Sequence, residues 1–218
     1  EIICIDAVAS LYGRNNAIKL VKEISKNIFL PITVCGGIRT IEDASNIILS
    51  GADKIGINTA AVENPKFLTI LAKEFGSQSI VLSVEAKKKS PSKWEVFVNS
   101  GRDPTGIDVK LWIKKAVDLG VGSVFLTSID NDGTKLGFDK ELCKEVFDIC
   151  EVPLVISGGL GKIKDLKILT DNSGINGFAA ASAFHNNLLT INEVKKFLID
   201  YKINVKNWGS YANWSNFF

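Results

Sequence analysis

The chain has 218 residues, 46% of them hydrophobic, enough for the single sizeable core of one α/β domain. A balance of 26 basic against 24 acidic residues leaves a net charge of +2 with no basic stripe interleaved with aromatics, so no nucleic-acid partner is expected. No run approaches about 18 apolar residues and no signal-peptide pattern opens the chain, so no membrane partner or export is expected and a cytoplasmic setting is.

Taken in chain order, apolar runs predict strands at 2–6, 32–35, 54–58, 79–85, 122–128, 153–157 and 176–181. Amphipathic stretches lie between them. Thr40 with Asp43 and Thr190 with Glu193 read as capping boxes, and Asn64 before Pro65 as a cap followed by the first helical residue. After residue 85 the alternation breaks: "KKKSPSKWEVFVNSGRDPTG" reads as an inserted hairpin or loop ahead of a helix from Asp108, with Lys87, Lys88, Lys89 and Lys93 solvated. Cys4 and Cys35 fall in strand-like runs and Cys143 and Cys150 on a helix-like one, without C-x-x-C spacing, which suits reduced thiols.

"PITVCGGIRT" from Pro31 is echoed 122 positions later by "PLVISGGLGK" from Pro153, and "GADKIGINTAAVENP" from Gly51 by "GINGFAAASAFHNN" from Gly174. The duplicated unit is a βαβ segment with a Gly-Gly turn, too long and too sparsely matched for a solenoid. Near-continuous apolar strands alternating with helices indicate a parallel sheet covered on both faces. An offset of four units of about 30 residues, doubled, gives the length of a (β/α)8 TIM barrel with an internal twofold half-barrel repeat; a doubly wound sheet is the rival. Seven units are counted, so the first strand is expected to lie before Glu1, in a segment of about 40 residues truncated from this chain. Residues 1–205 are expected to form the single barrel domain, and 206–218 an atypical tail carrying Trp208, Tyr211, Trp214, Phe217 and Phe218.

In such a barrel, chemistry sits where strands end and loops begin. The ends here are Asp6, Cys35-Gly36-Gly37, Asn58-Thr59, Glu85, Thr127 through Asp132, Ser157-Gly158-Gly159 and Ala181-Ser182. A Gly-Gly turn opening a capped helix lets backbone N–H groups approach an anion. Glycines in a tight βα turn need no ligand, but two related turns, each beside a hydroxyl-bearing strand end, predict two anion sites and a substrate with a phosphate at each end. His185, the only histidine, reads as helix-end packing, which leaves Asp6, Glu85, Asp130 and Asp132 as candidate acids and bases. The "DNDGT" at 130–134 lacks the spacing of a calcium loop, so no metal is expected, and nothing calls for a cofactor.

"ICIDAVAS", "CGGI", "GADKIGINTAAVENP", "FGSQSIVLSVEAK", "LTSIDNDGT", "SGGLGK" and "AAASAFH", in this order, resemble the cyclase subunit of imidazole glycerol phosphate synthase of histidine biosynthesis. The resemblance implies a (β/α)8 barrel lyase that takes ammonia from a glutaminase subunit in a heterodimer. It reacts the ammonia with a bisphosphorylated ribulosyl aminoimidazole carboxamide nucleotide, giving imidazole glycerol phosphate and an aminoimidazole carboxamide ribotide. By the same likeness, Gly37, Asn58 and Thr59 hold one phosphate; Asp132, Gly133, Gly159, Ala181 and Ser182 hold the other, and Asp6 faces the substrate. Glu85 and Asp132 are the catalytic candidates, with glutamate at position 85 where the family carries the aspartate of its fifth strand. At the opposite end, Glu1 and Lys54 match an ammonia gate, Ser123 replaces a glutamate of it, and Asp53 matches the glutaminase interface. Glu85 and Ser123 also fit a divergent branch of the family that conducts ammonia for amidination of a surface-polysaccharide sugar, and an inert phosphate-binding scaffold is the third expectation.

Overall fold

Short runs of Ile, Val and Leu build the sheet. The computed structural model describes residues 1–6, 17–171 and 174–205; the aromatic tail expected over 206–218 lies outside them. Strands β1 (Ile2–Ile5), β2 (Ile32–Cys35), β3 (Lys54–Ile57), β4 (Ile80–Ser90), β7 (Ser123–Ser128), β8 (Leu154–Ser157) and β9 (Ile175–Ala179) pair in parallel in that order. This is the wall of a (β/α) TIM barrel, in which sequential neighbours are joined by crossover helices. Among the described residues β1 and β9 end the run.

Helices α1 (Ala17–Asn27), α2 (Ile41–Leu49), α3 (Thr59–Glu63), α4 (Lys66–Phe75), α5 (Val109–Asp118), α6 (Lys140–Phe147), α7 (Ile168–Asp171), α8 (Ser182–His185) and α9 (Ile191–Asp200) follow the strands. Their starts are set chemically. Thr40 and Thr190 make the expected reciprocal capping boxes with Asp43 and Glu193. Asp108 accepts from the N–H groups of Lys110 and Leu111, and Asp139 from that of Leu142. The expectation at Asn64 fails: Asn64 closes α3, Pro65 stands at the N-cap of α4, and neither side chain caps. Asn64 has the non-helical backbone of a cap, φ −139° and ψ 89°, directly before αR Pro65, but its N–H closes the preceding helix on the Ala60 carbonyl and its side chain makes no capping bond to α4. Fully buried Ile47, Leu68, Leu71, Trp112, Ile113 and Leu142 from the helices meet Ile32, Ile55, Ile57, Ile80 and Leu82 from the strands in one core.

The insertion after residue 85 is a hairpin. Beyond Ala86 strand β4 leaves the wall and pairs antiparallel with β5 (Lys93–Val98), which pairs with β6 (Asp103–Asp108). The four lysines are exposed as expected, but on the hairpin arms rather than in a free loop. Lys88 lies over the Trp94 ring and pairs with Glu141, and Lys89 pairs with Glu95. Glu95 also accepts from the Gly106 N–H at 2.6 Å, and the Lys89 ammonium beside it holds its carboxyl below the usual range.

The twofold repeat extends to individual atoms. Gly36 and Gly158 both take positive φ, and a Cβ on either would strike a backbone carbonyl, that of Asp6 at 2.3 Å or of Ser128 at 2.7 Å. Asp6 and Ser128 are themselves 122 positions apart. Likewise Asp53 Oδ2 accepts from the Ile32 N–H, and Asn176 Oδ1 from that of Leu154, each at 2.8 Å.

Candidate active site

Side chains alternate across a strand, so residues on the inner face of the wall at its carboxyl end converge on one mouth. There the ends of β1 to β4 line an open cleft of about 560 Å³ including its mouth, bounded by Asp6, Gly36, Gly37, Asn58, Thr59, Ser83 and Glu85.

Glu85 is half-buried on the cleft wall. Its Oε2 accepts from Asn58 Nδ2 at 2.8 Å and from the Gly101 N–H at 3.0 Å. Burial pushes its carboxyl above the ordinary value; the two donors pull the other way, and the negative charge of Asp132 adds to the rise. A carboxyl lifted in this way can hold and release a proton closer to neutral pH. Asn58 Nδ2 also donates to the Phe97 carbonyl at 3.0 Å, and Thr59 Oγ1 accepts from the Asn99 N–H at 3.1 Å. The turn between β5 and β6 therefore closes over the ends of β3 and β4.

The second set of expected residues gathers at the carboxyl ends of β7, β8 and β9, on the other side of β4 from Gly37, Asn58 and Thr59. Asp132 and Gly133 are exposed in the loop after β7, and Ala181 and Ser182 stand at the start of α8. Gly159 is buried, in contrast to half-buried Gly37. Its carbonyl accepts from the Gly137 N–H at 2.7 Å, and Asn131 Nδ2 donates to the Gly137 carbonyl, so the loop over 131–137 packs down on the second Gly-Gly turn. The two turns share a backbone and differ in cover. Asp130, one of the candidate acids, has its Oδ2 taken by the Lys88 N–H at 2.7 Å and serves the root of the hairpin.

At the amino-terminal end of the strands, Lys54 pairs with Glu1 at 3.3 Å, and the buried hydroxyl of Thr33, on the strand between them, donates to Glu1 Oε1 at 2.6 Å. Ser123 begins β7 at the same end. Asp53 is exposed there, with one carboxylate oxygen on the Ile32 N–H. Reading the sequence missed Thr33, Asn99 and Gly101. Thr33 hides in an apolar run, and the turn residues matter only because the hairpin folds back on Glu85.

The four cysteines are free; burial pushes Cys35 and Cys143 up to about 12, which makes them poor nucleophiles. Among the described residues no cluster of side chains could hold a metal, and no helix is long and apolar enough to cross a membrane.

Comparison with known proteins agrees with this geometry. A family model described as histidine biosynthesis protein matches residues 1–190. The imidazole glycerol phosphate synthase subunit HisF of Legionella pneumophila is 48% identical over 165 residues, 76% of this chain and 78% of its own length. The subunit of the same name from Dictyoglomus thermophilum is 45% identical over 199 residues, 91% of this chain and 78% of its own. That from Streptococcus mutans is 36% identical over 206 residues, 94% and 82%. With a model matched from Glu1 to residue 190 and relatives of this identity along most of the sequence, the chain belongs to the histidine biosynthesis protein family.

Proposed function

We propose that the chain is the cyclase subunit of imidazole glycerol phosphate synthase, a lyase acting in the cytoplasm in a heterodimer with a glutaminase subunit. Ammonia released by the partner enters past Glu1 and Lys54, with Asp53 on the docking face, and travels along the barrel to the cleft. There it reacts with the bisphosphorylated ribulosyl aminoimidazole carboxamide nucleotide, and imidazole glycerol phosphate and the aminoimidazole carboxamide ribotide leave. Gly37 with the Asn58–Thr59 strand end receives one phosphate. Gly133, Gly159, Ala181 and Ser182 receive the other, and Asp6 faces the substrate between them.

The observation that carries the reading is Glu85: a half-buried carboxyl with a raised pKa on the wall of the cleft beside the first Gly-Gly turn. Adding ammonia to a carbon centre requires protons to be taken from the nitrogen and given to the departing group. A carboxyl with a raised pKa can take the one proton and give the other. Asp132, whose charge reaches Glu85, is the second acid of the pair.

The test is turnover of the bisphosphorylated nucleotide by the purified chain with saturating ammonium salts. Glu85→Gln should remove most of the turnover while leaving nucleotide affinity nearly intact, the pattern of a lost transition-state interaction. Full turnover by that variant, or none by the parent chain, would overturn the reading.

A further inference from the structure

Glu85 makes two hydrogen bonds among the described residues, and both fall on the same oxygen, Oε2. Each comes from a group that is itself fixed. Asn58 places its amide nitrogen between Oε2 and the carbonyl of Phe97, the residue directly opposite Glu85 in the β4–β5 ladder. Turning the amide over would set its oxygen against two acceptors, so the orientation is unique. It is kept although Asn58 Oδ1 is left buried without a partner. Gly101 reaches Oε2 because Asn99, Ser100 and Gly101 run successively through the left-handed region at φ 53°, 60° and 73°. That turn is pegged to β3 by the Asn99 N–H on Thr59 Oγ1. A methyl group on Gly101 would stand 3.9 Å from Oε1 of Glu85 and 3.3 Å from Ile129 Cδ1.

We propose that Asn58 and the Asn99–Gly101 turn are positioning residues for Glu85: they hold Oε2, fix the rotation of the carboxyl group, and leave Oε1 as the oxygen that exchanges a proton with the substrate. The inference rests on the cyclase reading above and assigns the Asn58 side chain to the acid rather than to a phosphate. A backbone approach of the phosphate to the β3 end is compatible with it. The arrangement also answers the longer side chain at this position. Glutamate has one more rotatable bond than aspartate, and two donors on one oxygen remove the freedom that bond adds.

The experiment measures kcat and KM with saturating ammonium across pH for the parent chain, Asn58→Ala, Glu85→Gln and the double variant. Asn58→Ala should lower kcat about 10- to 100-fold, as loss of a hydrogen bond to a charged group does, with KM within about twofold. The limb of the profile that reports Glu85 should move to higher pH by about half a unit to one unit, because a donor to the carboxylate is gone. The double variant should be no slower than Glu85→Gln alone. Gly101→Ala, strained at φ 73° and shifted off Oε2, should give the same drop and the same direction of shift, and it decides the matter if Asn58→Ala does not fold. A rise in KM with an unmoved pH limb would make Asn58 a phosphate ligand and overturn the proposal, as would multiplicative losses in the double variant. Undiminished turnover in Glu85→Gln would instead bring down the cyclase reading itself.

Discussion

Asp43 and Asp165, 122 positions apart, perform the same task in the two halves of the chain. Oδ2 of Asp43 accepts from the N–H groups of Arg39 and Thr40, and Oδ2 of Asp165 from those of Gly161 and Lys162. The halves differ in the return bond. Thr40 Oγ1 accepts from the Asp43 N–H at 3.1 Å, whereas a lysine ammonium has no acceptor to offer. Lys162 already has the extended backbone of a cap, φ −136° and ψ 151°, close to the −128° and 164° of Thr40. Lys162→Thr should therefore complete the second box and stabilise the chain by about 0.5–1 kcal/mol, read as a higher urea midpoint at unchanged slope. An unchanged or lower midpoint would mean the two turns are alike in outline only.

Glu85 sets activity against stability. Its folded pKa lies above the ordinary value, so between those two values the folded chain holds more protons than the unfolded one, and stability falls as pH rises through that window. Above the window the penalty stays. Glu85→Gln keeps an acceptor for Asn58 and Gly101 and removes the buried charge. It should raise the urea midpoint near neutral pH, and the gain should vanish below the usual carboxylate range. An equal effect at both pH values would mean that packing, not ionisation, is responsible.

Most of this fold was legible because its signals are local. Strand runs, the Thr40 and Thr190 boxes and the Gly-Gly turns each depend on neighbouring residues, and every expected strand formed within two residues of its expected bounds except that expected over 79–85, which runs on to Ser90 as an arm of the hairpin. Asn64 and Pro65 were misread because adjoining helices compete for the same caps. What sequence could not supply was the partner of each polar group. That Asn58 serves Glu85, that Asp130 serves Lys88 and that Asp53 serves Ile32 depends on contacts 21 to 42 residues away, created when the hairpin and the ladder close.

The far end of the strands gives a test that separates ammonia delivery from chemistry. Thr33→Val removes the hydroxyl that donates to Glu1 Oε1 and keeps a β-branched side chain in β2, so the fold should hold while Glu1 loses its buried anchor. Lys54→Met breaks the ion pair from the other side. With a glutaminase partner present, glutamine-dependent turnover should fall several-fold further than ammonium-dependent turnover in both variants. Equal falls in the two assays would place the Glu1–Lys54 pair outside the ammonia route.

The unequal cover of the two Gly-Gly turns bears on the substrate. If both turns bind phosphate, a bisphosphorylated nucleotide should bind much more tightly than either of its monophosphorylated halves, because the first contact makes the second intramolecular. The second turn is the sensitive one. Gly159 has φ +100°, and a Cβ there would come within 2.1 Å of the Gly137 carbonyl, backbone that can move only by lifting the 131–137 loop. Gly159→Ala should therefore cost about 1–3 kcal/mol in stability and bring bisphosphate affinity down towards that of a single phosphate, with the monophosphate that occupies the Gly37 turn bound as before. Titration calorimetry on the parent and the variant reads both effects. Equal affinities for the bisphosphate and its halves in the parent chain would leave the duplicated turn a record of ancestry alone.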